Sequence, residues 1–152
     1  IFLDIDGVLV THASYLKRMP SGMASASPSA VAALNWLIQT TDARIVISST
    51  WRAYGLKKCR EILKSWGVEA KVVGCTEKDG EILTQDQIKI AIAQGRGDQI
   101  QKWIDGHPNV KRFVIIDDEE GMGHLAGYLV KTEFENGLTQ GQAEYAARLL
   151  MR

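Results

Sequence analysis

Cysteine is scarce in this chain, with only Cys59 and Cys75 among 152 residues. They lie far apart and fit no CxxC or zinc spacing. That excludes a disulfide framework and a structural metal knot. Both read as reduced packing residues, as expected of a cytoplasmic protein. An excess of one charge is also missing: 18 basic side chains face 18 acidic ones. The balance removes any bulk attraction to nucleic acid or to an anionic membrane. Apolar runs are short, well under the roughly 20 residues of a bilayer span. No secretory leader is visible. Aromatic residues make up 7% of the chain and are not interleaved with basic runs. A strong, non-specific nucleic-acid surface is therefore not expected. Repeats and low-complexity tracts are absent. Nothing points to an obligate protein partner.

What remains is 45% hydrophobic residues, enough for one globular domain over residues 1–152 with its own core. The densest stretch is Ile1-Phe2-Leu3-Asp4-Ile5-Asp6-Gly7-Val8-Leu9. Its apolar start reads as a buried strand of a parallel sheet. Asp4 and Asp6 follow at the carboxyl end, and a spacing of two puts both on one side if the strand persists through them. Gly7 allows a sharp turn. Two carboxylates this close repel unless a cation lies beside them. A hard divalent ion such as Mg2+ suits them. One carboxylate can then serve as nucleophile and the other can move protons. Two plainer readings compete. A calcium loop would need flanking helices and further oxygen ligands. A strand-end turn with two solvated Asp residues needs nothing more.

The rest of the chain alternates between strand and helix patterns. Thr11–Ser27 reads as a loop with a short turn around Tyr15–Arg18, too short for a separate covering domain. Ser27 and Pro28 open a helix carrying Val31, Leu34, Leu37 and Ile38 on one face. Arg44–Ile47 is a second strand, ending in Ser48-Ser49-Thr50-Trp51-Arg52. Lys57–Trp66 is helical, Glu69–Val73 a third strand, and Lys78-Asp79-Gly80 a turn. Gln85–Ala93 has helical spacing. Asp98 is expected to cap a helix that runs through Ile104 and stops at Gly106. Phe113–Ile116 is a strand ending in Asp117-Asp118, and Tyr128–Lys131 is another. Thr139 and Gln142 form a capping box for a last helix with Ala143, Ala146, Ala147 and Leu150 inward.

This alternation predicts an α/β fold: a three-layer Rossmann-like sandwich with a central, mostly parallel sheet and no large cap domain. Ligands in such sheets bind beyond the carboxyl ends of the strands. Three strands end in polar clusters at that edge: Asp4 with Asp6, Ser48 with Ser49, and Asp117 with Asp118. Their convergence suits phosphoryl transfer, which needs a nucleophile, a metal, donors for the phosphoryl oxygens and an acid for the leaving group.

Asp4-Ile5-Asp6-Gly7-Val8-Leu9 resembles the first motif of the haloacid dehalogenase (HAD) superfamily, mostly Mg2+-dependent phosphatases that work through an aspartyl-phosphate. The resemblance implies Asp4 as nucleophile and Asp6 as general acid/base, with the Asp6 main-chain carbonyl touching the metal. Asp117 and Asp118 would complete the metal site. Ser48 or Ser49 resembles the second motif. Counting from the apolar run favours Ser48, with Ser49 in support. Arg96 fits the third-motif cation, with Lys89 and Lys102 as rivals. Arg52 offers either a bidentate phosphate contact or a surface ion pair. Ser-Ser-Thr-Trp-Arg, Arg-Gly-Asp-Gln-Ile and the ending Lys131-Thr132…Gly137-Leu138-Thr139 resemble a small capless HAD group associated with RNA-repair proteins. A phosphorylated substrate is implied, either a nucleotide or a nucleic-acid end. The alternative is a phosphate-sensing or phospho-accepting module of the receiver kind. A receiver keeps its acidic pair and its phosphorylated Asp on different strands, and it lacks a second Asp two residues on.

Overall fold

The computed structural model describes residues 1–76, 84–93 and 95–152. Five short strands form one all-parallel sheet: β1 (Phe2–Leu3), β2 (Ile45–Ile47), β3 (Val72–Cys75), β4 (Ile115–Asp117) and β5 (Leu129–Lys131), in the order β3-β2-β1-β4-β5. Strand β1 is central, with Phe2 paired to Val46 on one side and to Ile115 on the other. The helices are α1 (His12–Tyr15), α2 (Pro28–Thr41), α3 (Leu56–Ser65), α4 (Gln85–Ala93), α5 (Arg96–Asp105) and α6 (Gln140–Met151). Among the described residues no cap domain is inserted, and no helix is long and apolar enough to cross a membrane.

Strand alternation sorts the core into two faces. Leu3, Ile45, Ile47 and Ile116 pack with Leu34 and Leu37 of α2, Leu63 of α3, and Ala143, Ala146 and Ala147 of α6. Phe2, Val46 and Ile115 point the other way, onto Ile100 and Trp103 of α5 and onto Met122 and Leu125. Side chains two apart share a face of a strand. Asp4, Ser48 and Asp117 therefore continue the rows of Phe2, Val46 and Ile115, on the side covered by α5.

Helix ends follow local chemistry. Ser27 Oγ accepts the Ala30 N–H at the start of α2, where Pro28 occupies the first turn. Thr139 and Gln142 form the expected reciprocal cap on α6. Other boundaries move. Strand β3 runs two residues later than the pattern suggested, because Gly74 and Cys75 continue the ladder beside Val46 and Ile47. Helix α5 begins at Arg96 with Gly95 as N-cap at φ 74°, so Asp98 lies in the first turn and caps nothing. Thr11–Ser27 is more ordered than a plain loop. Thr11 and Ser14 cap α1 reciprocally, and Arg18 bridges Ala24 in antiparallel fashion. The turn expected at Lys78-Asp79-Gly80 lies outside the described residues.

Candidate active site

Asp4 stands directly beyond β1, still held in the ladder by its N–H to the Ile116 carbonyl at 3.0 Å. Asp117 ends the neighbouring strand β4 and is fully buried. One carboxylate oxygen from each of Asp4, Asp117 and Asp118 lies within 4.8 Å of the others. Arg96, the first residue of α5, closes the group. Its Nη1 donates to Asp4 Oδ1 and to Asp117 Oδ2, each at 2.8 Å. The other oxygen of Asp117 accepts the Glu119 N–H at 2.9 Å. Being at a helix start, Arg96 adds its charge to the positive end of the α5 dipole. Of the three basic candidates, Lys89 and Lys102 are exposed, and Arg96 is the one brought to the carboxylates.

Close approach explains two glycines. Gly7 turns the chain at φ +76°, and a Cβ there would lie 2.4 Å from Cγ of Asp118. In α5, a Cβ on Gly97 would meet the Met122 carbonyl oxygen at 2.5 Å. The first lets Asp118 into the cluster, and the second lets the start of α5 sit beside the segment that follows β4.

Burial and crowding shape the charges. Asp117 is pushed up to about 7, first by burial and then by the charge of Asp4, with Arg96 pulling against both. Asp118 is raised for the same two reasons. Asp6 is raised by burial, although the Trp51 hydrogen bond opposes the shift. Burial works to lower Arg96, but the charges of Asp4 and Asp117 outweigh it and the net shift is upward. Three carboxylates against one guanidinium leave two negative charges. A divalent cation with a preference for oxygen ligands, as Mg2+ has, fits that donor set and that charge.

The structure separates Asp6 from this cluster. The chain leaves the sheet after Asp4, and the side chain of Asp6 accepts the Trp51 indole N–H at 2.8 Å through Oδ2. Ser48 and Ser49 are both fully buried at the end of β2. Ser49 Oγ accepts the Trp51 N–H at 3.3 Å and caps the short 3-10 turn Thr50–Tyr54. Ser48 Oγ has no hydrogen-bond partner among the described residues. Arg52 turns inward and is 4% exposed, so a surface ion pair does not describe it. Its Nη1 donates to the Ser48 and Ser49 carbonyls at 3.2 and 2.8 Å, and its Nη2 donates to Gln99 Oε1 at 2.8 Å. It thus ties the end of β2 to α5.

Three supports lie in stretches that the sequence marks, without a role that spacing could assign. Thr132 is buried after β5. Its Oγ1 donates to the Gly7 carbonyl at 2.7 Å and its N–H to the Asp117 carbonyl at 2.9 Å. Gln99 receives Arg52, and Trp51 reaches Asp6. No spacing rule marks such contacts. The pairing of Thr132 with Asp117 could have been inferred only from the ordering of β4 and β5. His124 Nε2 donates to Gln101 Oε1 at 2.8 Å, away from any role in the cluster.

An all-parallel sheet with an aspartate directly beyond its central strand, an acidic trio with Asp4 and Asp117 buried and Asp118 half-buried, and one bridging guanidinium define a HAD-type domain. Residues 1–143 match the family described as the HAD domain in Swiss Army Knife RNA repair proteins, and the chain belongs to it. No curated protein and no solved structure matches the chain.

Proposed function

We propose that the chain is a Mg2+-dependent phosphatase that hydrolyses a phosphate monoester at a nucleic-acid end. The observation that carries this reading is the convergence of Asp4, Asp117 and Asp118 at one sheet edge, with Arg96 bridging the first two. Membership of a family named for RNA repair proteins supports the substrate class.

Asp4 is the nucleophile. An oxygen of its carboxylate attacks phosphorus, the ester oxygen leaves with a proton from Asp6, and an aspartyl-phosphate remains. Asp6 then takes a proton from water as that water attacks, releasing inorganic phosphate and restoring Asp4. Arg96 holds Asp4 in place and offsets charge on the equatorial phosphoryl oxygens. Ser48, whose hydroxyl has no partner among the described residues, and Ser49 donate to the phosphate. Arg52 supports the phosphate site by fixing both serine carbonyls. Asp4, Asp117 and Asp118, with the main-chain carbonyl of Asp6, would hold Mg2+. When bound, the ion neutralises charge that builds on the phosphoryl group.

The test is a phosphatase screen with Mg2+ present and after chelation, over nucleotides, sugar phosphates and 3′- and 5′-phosphorylated oligonucleotides. Metal-dependent turnover with an oligonucleotide end is expected. Stoichiometric phosphorylation of the protein without turnover would favour the phospho-accepting alternative.

A further inference from the structure

Asp6 lies two residues beyond the nucleophile, yet its carboxylate stands outside the acidic cluster and is held by Trp51 Nε1 at 2.8 Å on Oδ2. The tryptophan is itself immobilised. Its main-chain N–H donates to Ser49 Oγ at 3.3 Å, and its carbonyl accepts from Cys59 Sγ at 3.2 Å. The rings of Trp66 and Tyr54 meet it edge-on, at centroid distances of 5.5 and 6.1 Å. A ring locked at both edges presents its N–H in one direction.

Resting on the phosphatase reading above, we infer that Trp51 is a positioning residue for the proton-moving step: by engaging Oδ2 of Asp6 it assigns Oδ1 to the reacting oxygen. An indole N–H can donate but cannot accept. Oδ2 is therefore kept as an acceptor, a role a carbonyl oxygen fills better than a hydroxyl oxygen, and a proton carried by Asp6 is biased to Oδ1. In the first half-reaction the Oδ1–H bond breaks, and the proton passes to the departing ester oxygen as the P–O bond to it breaks. In the second, Oδ1 takes a proton from the water that attacks phosphorus, and the bond from phosphorus to Asp4 breaks. Without the indole N–H the carboxyl can turn, and the proton is shared between two oxygens of which one faces away.

The expected signature depends on the leaving group. A nitrophenolate departs without a proton, whereas an alkoxide needs one. In Trp51→Phe, which keeps a ring and removes the N–H, kcat/KM for an alkyl phosphate monoester, which reports only the first half-reaction, should fall by roughly tenfold to a hundredfold. With p-nitrophenyl phosphate the same quantity should change less than about threefold, because its leaving group needs no proton. The ratio of the two rates in one preparation is insensitive to the fraction of folded protein. Equal losses on both esters, or no loss on the alkyl ester, overturn the inference and leave the phosphatase reading intact. Wild-type turnover of neither these esters nor a phosphorylated oligonucleotide, itself an alkyl phosphate monoester, overturns both. Should Trp51→Phe not fold, the indole proton of Trp51 decides by NMR in the wild-type chain. It should resonate downfield and move upfield in Asp6→Ala, and an unmoved resonance overturns the contact.

Discussion

Two residues carry opposite requirements at one edge of the sheet. In the proposed mechanism Asp4 must be ionised to attack, while Asp117 is buried beside it and held up to about 7. Asp4→Asn should keep the fold, because the amide occupies the same space, and should lose at least about a thousandfold in turnover. Near wild-type hydrolysis by a folded Asp4→Asn protein would remove the covalent mechanism. The raised Asp117 has a second consequence for the metal-free protein. Between its unfolded value, near 4, and about 7, the native state holds a proton that the unfolded chain has released. Stability in chelator should therefore fall as pH rises through that window, the opposite of the usual paired-carboxylate case. Added Mg2+ favours the ionised form and should raise Tm more at pH 8 than at pH 5. Thermal melts at the two pH values, with and without the ion, check the sign.

At the level of elements, the strands were legible where apolar runs are buried on both faces, as in Phe2–Leu3, Ile45–Ile47 and Ile115–Ile116. The third strand was displaced because Gly74 and Cys75 look like a turn and are strand by virtue of the ladder beside them. The start of α5 escapes a rule based on capping side chains, because Gly95 serves there and no side chain caps the helix. Asp4, Asp117, Asp118 and Arg96 could be read from their position at element ends. Trp51, Gln99 and Thr132 could not, since each acts through the direction of a side chain across the fold. The turn after β1 depends on what it excludes. Gly7→Ala adds a Cβ 2.4 Å from Asp118 Cγ at a φ of +76°. A cost of about 1–3 kcal/mol is expected, together with weaker Mg2+ binding as Asp118 is displaced. Calorimetric titration of the variant would contradict this if the affinity were unchanged.

The whole molecule is a sheet with an open carboxyl edge. The residues between Thr11 and Ser27 form a small, tied excursion and no domain, and among the described residues no cap domain closes over the site. A long substrate can cover the site itself and contribute remote binding energy. We expect kcat/KM for a phosphorylated oligonucleotide to exceed that for a mononucleotide or sugar phosphate by about tenfold, or roughly 1.4 kcal/mol. A tenfold preference for the small ester would instead mark a metabolite phosphatase. Net charge is zero, so this preference should rest on local contacts and survive moderate salt better than polycation binding does. The central place of β1 has one more effect, on how activity is acquired. Phe2 pairs with position 46 on one flank and position 115 on the other. Closing the longer of these loops is entropically costly and slow. The acidic trio does not exist until β4 has docked against β1, so a partly folded chain has no partial site. Regain of activity after denaturation should therefore coincide with the slowest refolding phase, with no earlier burst of turnover.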